Sequence, residues 1–160
     1  MKTLRILGLA MALFGAMTVS SCKKDPCKNV TCQNGGTCQD GNCKCNLPWE
    51  GSRCEVDARD KFVGSWRGTA QCTGGGGPQE EVFSITKSST TATRIIIADR
   101  FYGELTSSST FDIPSQTVNV EGIAVTISGR GNLNGNQLTL TLNYAVLGEA
   151  YTCSGTYNKQ

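Results

Sequence analysis

The stretch "GIAVTISGRGNLNGNQLTLTLNYAV", Gly122–Val146, settles the fold class by itself. Ile123, Val125 and Ile127 share one face of an extended chain. Leu138, Leu140, Leu142, Tyr144 and Val146 share one face of the next, with Thr139, Thr141 and Asn143 opposite. Between them, Asn134-Gly135 inside "NLNGNQ" is a hairpin signal. Working outward, the same alternation predicts strands over 64–72, 81–88, 92–99, 104–112, 116–121 and 150–158. About eight antiparallel strands in residues 62–160 predict an all-β domain, a small barrel or sandwich with very little helix.

Ahead of this domain, "SCKKDPCKNVTCQNGGTCQDGNCKCNLPWEGSRCE", Ser21–Glu55, holds seven of the nine cysteines. From Cys27 to Cys54 the spacing is C-x4-C-x5-C-x4-C-x-C-x8-C. So short a span cannot bury an adequate core, and disulfides are the usual remedy. Zinc is disfavoured because the chain has no histidine and the spacing is not a paired CxxC arrangement. Six cysteines allow about 15 connectivities, among which spacing does not choose. The order "CQNGGTC", "CKC", "PWEGSRCE" resembles an EGF-like domain. That resemblance implies the pairs Cys27–Cys38, Cys32–Cys43 and Cys45–Cys54, and a packing role for Trp49 over the last disulfide loop. Calcium, a ligand of some members, is not expected: in "KKDPC" Asp25 stands alone beside two lysines, with Pro26 where a second ligand would fall.

The chain opens on "MKTLR", then fourteen uncharged residues from Ile6 to Val19. As a helix at about 1.5 Å per residue these cover about 20 Å, short of a bilayer core of about 30 Å, as in a signal peptide over residues 1–21. "VSSC" resembles the lipobox of bacterial lipoproteins, which implies that Cys22 becomes the lipidated first residue of the mature chain. Cysteine parity agrees, since assigning Cys22 to lipid leaves an even set for pairing. Lys23 follows where an inner-membrane-retained lipoprotein would carry aspartate, so the resemblance implies an outer-membrane anchor, with exposure at the cell surface expected. Of fifteen basic residues, thirteen remain once Lys2 and Arg5 leave with the signal peptide, against thirteen acidic ones. No net basic field recruits nucleic acid.

The domain order expected is therefore a lipidated N-terminus and EGF-like unit over 22–55, a short charged connection "VDARDK" over 56–61, and the β-domain over 62–160. With the other cysteines assigned, Cys72 and Cys153 are left to bond with each other. Closing that loop is worth about 4 kcal/mol in the chain-entropy model and brings first and last strands together, as barrel closure needs. Gly64-Ser65-Trp66 resembles the G-x-W of lipocalins, which implies that Trp66 plugs the closed end of a lipocalin-like barrel.

Enzymatic chemistry is not expected. Histidine triads and thiol nucleophiles are excluded by composition and cysteine assignment. Glu80, Glu81, Asp99, Glu104 and Asp112 read as solvated charges, and "CTGGGGPQ" as a flexible loop rather than a phosphate loop, since no Gly-Lys-Ser/Thr follows. No cofactor is expected. The functional expectation is a non-enzymatic, lipid-anchored cell-envelope protein with the EGF-like unit as rigid spacer, displaying its β-domain to a protein or glycan partner. The alternative is a small-molecule carrier using the barrel interior. Metabolic labelling with a clickable fatty acid is expected to mark the wild-type chain and not the Cys22→Ala variant; a labelled variant would overturn the assignment of the anchor.

Overall fold

The structure is a computed structural model and describes residues 24–160. The signal peptide and the lipid site Cys22 lie outside the described residues. Two short ladders build the N-terminal module: β1 (Thr37–Gln39) with β2 (Asn42–Lys44), and β3 (Trp49–Glu50) with β4 (Val56–Asp57). Disulfides Cys27–Cys38, Cys32–Cys43 and Cys45–Cys54 staple these elements, and Cys54 is fully buried.

Eight strands then close a barrel: β5 (Gly64–Cys72), β6 (Gln79–Lys87), β7 (Arg94–Ile97), β8 (Phe101–Leu105), β9 (Thr110–Val120), β10 (Ile123–Asn134), β11 (Gln137–Val146) and β12 (Glu149–Lys159). All pairings are antiparallel, and β12 pairs with β5 to complete the circuit. Cys72 lies directly opposite Cys153 in that seam and is bonded to it. The barrel is the all-β architecture the alternation predicts. Leu138, Leu140 and Leu142 face inward and are buried, while Thr139 and Asn143 are exposed. The β10–β11 loop is Gly135-Asn136, with Gly135 at φ +59°.

The strand expected over 104–112 is instead two strands separated by a turn at residues 106–109. The Ser107 hydroxyl accepts from the amides of Ser109 and Thr110, so the serines inside the expected strand close a tight turn. Strand β9 then begins earlier than the expected 116–121 and passes through Pro114. Register against β10 shifts between Ile113 and Gln116, a bulge where the missing proline N–H costs no ladder bond.

One end of the barrel is closed by side chains. Trp66, Phe62, Phe111, Ile95 and Leu138 have no solvent exposure, and Phe62 meets Phe111 edge-on at 5.4 Å. The Trp66 indole N–H donates to the Phe62 carbonyl at 2.8 Å. The Phe111 ring occupies the space that a Cβ at Gly131 or Gly103 would need, so these glycines let a large ring lie flat against two strands.

Residues 56–61, expected as a short charged connection, carry more structure than their composition suggests. Val56–Asp57 form β4, and Ala58–Lys61 form a 3-10 turn whose Ala58 amide donates to the Pro48 carbonyl at 2.8 Å. Asp57 caps the turn by accepting from the Arg59 amide, and it pairs with the Arg59 guanidinium at 2.8 Å. Both residues are buried. Another arm of Arg59 reaches the carbonyls of Ser88 and Thr91 at 3.3 Å, and Lys87 joins Asp57 at 3.1 Å. The core, the closed hydrogen-bond circuit and all four disulfides lie within residues 24–160, so this segment contains what it needs to fold alone.

Burial pushes the Asp57 carboxyl up, but hydrogen bonds from Arg59 and Lys87 outweigh it and hold the pKa at about 2. The unfolded chain protonates this group near 3.8, so the folded state gains stability from Asp57 above that pH and loses it as pH falls toward 2. Chemical denaturation is expected to show wild type losing about 2 kcal/mol more than Asp57→Asn between pH 6 and pH 2. Parallel losses in the two proteins would contradict this role.

Candidate ligand site at the barrel mouth

The strands differ in length, and this shapes the other end. β9 to β12 run 10 to 12 residues, whereas β7 and β8 have four and five. The rim therefore dips at the β7–β8 turn, residues 98–100. Above it, β6 pairs with β7 only over Ile85–Lys87, and β9 pairs with β8 only at Phe111 and Asp112. The Gln116 side chain extends the second seam by one step, accepting from the Tyr102 amide at 3.1 Å and donating to the Tyr102 carbonyl at 2.8 Å. Higher up, the edges of β6 and β9 part.

Between these edges lies a cavity of about 870 Å³, open at the mouth. Val118, Val125, Ile127, Leu140 and Leu142 line its tall wall, and Phe83 and Phe101 line the low side. These are inward positions of the alternating strands, the same set that forms core at the closed end.

Polar groups are few and come from particular strands. In β6 the alternation that turns Phe83 and Ile85 inward puts Glu81 on the same side at the rim, where its side chain remains exposed. The Tyr157 hydroxyl donates to Glu81 Oε2 at 2.6 Å, and its ring meets Phe83 edge-on at 4.8 Å. Tyr144 lines the cavity one strand further round, and its hydroxyl has no hydrogen-bond partner among the described residues. Burial first, and the Glu81 charge second, push the Tyr144 phenol up to about 12. Tyr157 is also raised, by burial and by its bond to Glu81. Both phenols thus stay neutral and able to donate at physiological pH. The β7–β8 turn adds Asp99 and Arg100 to the rim.

The residues singled out in the sequence distribute as follows. Trp66 lies at the closed end, away from the cavity lining. The Cys72–Cys153 bond sits at the mouth end of the β5–β12 seam, beside the Gly-rich loop 73–77, where the Gln71 side chain donates to the Gly76 carbonyl at 2.8 Å. Three of the carboxylates read as solvated are in surface ion pairs: Glu80 with Arg67, Glu104 with Arg94, and Asp112 with Arg130. Glu81 and Asp99 are exposed too, in no ion pair among the described residues, and with Glu80 they stand at the edge of the cavity. Glu81 was open to recognition from the Glu81-Phe83-Ile85 alternation, which places a charge in register with two core side chains. Tyr144 was legible only as part of a core face. Among the described residues, no three Cys, Asp or Glu side chains converge as a metal site would require.

Compared with protein-family models, with curated proteins and with solved structures, the chain finds no match.

An ultraviolet titration is expected to show a phenol ionising near pH 12 that disappears in Tyr144→Phe and moves to lower pH in Glu81→Gln. A step unmoved by the Glu81 exchange would show that the carboxylate does not face Tyr144.

Proposed function

We propose that this chain is a non-enzymatic, lipid-anchored protein of the cell envelope whose barrel mouth binds a small, largely apolar molecule. The observation that carries the reading is the cavity of about 870 Å³ between the tall β9–β11 wall and β6. Its size falls in the range of about 300–1,000 Å³ typical of ligand pockets, and its mix of aliphatic walls with a few placed polar groups is typical too. Closure of the opposite end by Trp66, Phe62 and Phe111 makes the barrel a cup rather than a channel. Solvation of these valines and leucines is unfavourable by about 25 cal/mol per Å² of apolar surface, so an apolar guest gains by covering them.

In this reading the N-terminal module keeps the EGF-like identity its cysteine order suggests and serves as spacer above a lipid on Cys22 in the outer membrane. The spacer leads into the closed end: Lys61 bonds Glu50 at 2.8 Å, and Ala58 bonds Pro48. An anchor at that end leaves the mouth facing away from the membrane. Display to a protein or glycan is the second reading. It draws on a shallow polar depression of about 630 Å³ on the outer face of β9–β11, lined by Arg130, Asn132, Thr139, Thr141 and Asn143.

Native mass spectrometry of the full chain, gently extracted from its membrane, is expected to show a non-covalent adduct that is lost on denaturation. The adduct should be absent from Val118→Trp, which fills the mouth. A wild-type chain that repeatedly carries no adduct would move the balance to display.

A further inference from the structure

Glu81 raises a question that the apolar cavity does not answer. Its side chain is exposed at the rim, and directly below it the barrel is lined by valine and leucine, so a charged edge and apolar walls meet at one mouth. Glu81 has one donor, the Tyr157 hydroxyl on Oε2, and no Lys or Arg within ion-pair distance among the described residues. Its neighbour Glu80, also at the edge of the cavity, is already bridged by Arg67 at 2.7 Å. Around the mouth, the rim carries Asp99 as a further carboxylate and Arg100 as the one guanidinium in the lining. The site is thus built for positive charge. Beside it stand the rings of Phe83 and Tyr144, whose faces attract cations.

We infer that the mouth selects an amphipathic cation, an amine whose ammonium group meets the free Glu81 oxygen beside Tyr144 while its apolar body lies along Val118, Val125, Leu140 and Leu142. This inference rests on the carrier reading above and names the ligand class for the same cavity. The head group supplies the missing counter-charge, and Tyr157 holds the carboxylate in place through its own donated hydrogen bond. An anionic amphiphile of the same length meets the same walls but sets like charge against Glu81 and Asp99. Fatty-acid-like ligands are therefore disfavoured.

The test uses oxidised residues 24–160 and three probes with one ten-carbon body and different heads: decylamine, decanol and decanoate. Each displaces the neutral fluorophore N-phenyl-1-naphthylamine at concentrations below micelle formation. Decylamine is expected to bind wild type about tenfold tighter than decanol, as a charge-assisted hydrogen bond supplies, and decanoate weaker than decanol. In Glu81→Gln the preference for decylamine over decanol should collapse to within about twofold, decanol serving as each variant's own reference. Tyr157→Phe, which frees the carboxylate but leaves its charge, should retain the preference. Equal binding of amine and alcohol by wild type, or a preference surviving in Glu81→Gln, would overturn the inference while leaving the carrier reading intact. Failure of the fluorophore and of all three probes to bind would overturn both.

Discussion

Asp57 and Arg59 are two residues apart, and between them they hold together three parts of the molecule. Asp57 ends the last ladder of the disulfide module, caps the 3-10 turn and accepts from Lys87 of β6. Arg59 answers Asp57 with one edge of its guanidinium and reaches the β6–β7 loop carbonyls with another nitrogen. A buried pair of this kind is weak evidence for net stability, because desolvating both charges consumes most of their attraction. Its effect is on position. It fixes Ala58 and Phe62 under the barrel, and Phe62 in turn offers Trp66 a carbonyl and Phe111 a ring edge. The closed end is the consequence.

The open end follows from the same closure. Aromatic side chains fill the base, helped by glycines at 103 and 131 that leave room for Phe111. Toward the mouth the tall wall carries mostly valine, isoleucine and leucine, with Phe83 and Phe101 on the low side, and two of the eight strands stop short. Eight strands with side chains of this size do not fill a barrel to the top. The void is therefore a product of strand length and residue choice, and it lies opposite the module that leads to the N-terminus. A cup with a rigid stem at its base can offer the mouth outward without any hinge.

Much of this was legible in the sequence. Period-two alternation predicts the β10–β11 hairpin, because one buried face per strand leaves a strong pattern, and the leftover pair Cys72 and Cys153 predicts the seam joining first and last strands. What the sequence concealed has physical causes. The threonines at 106 and 110 suit a strand, yet the Ser107 hydroxyl between them accepts from nearby amides and closes a turn. Pro114 reads as a breaker unless a bulge removes the need for its N–H. Arg59 and Asp57 read as part of a short charged connection, since sequence cannot show that each is the other's partner in a buried place. Glu81 reads as a solvated charge and is exposed; what the sequence does not show is that it shares a strand face with Phe83 at the rim of a cavity.

The central claim is that the barrel is a cup, filled at its base and vacant at its mouth. Methyl NMR of residues 24–160 titrated with decanol tests it most directly, because the probe carries no charge and reports apolar occupancy alone. The account expects saturable shifts at Val118, Val125, Leu140 and Leu142, with Ile95 and Leu133 at the closed end unmoved. Shifts confined to exposed Leu47 and Val56 of the N-terminal module, or no saturable shift at any methyl, would contradict it.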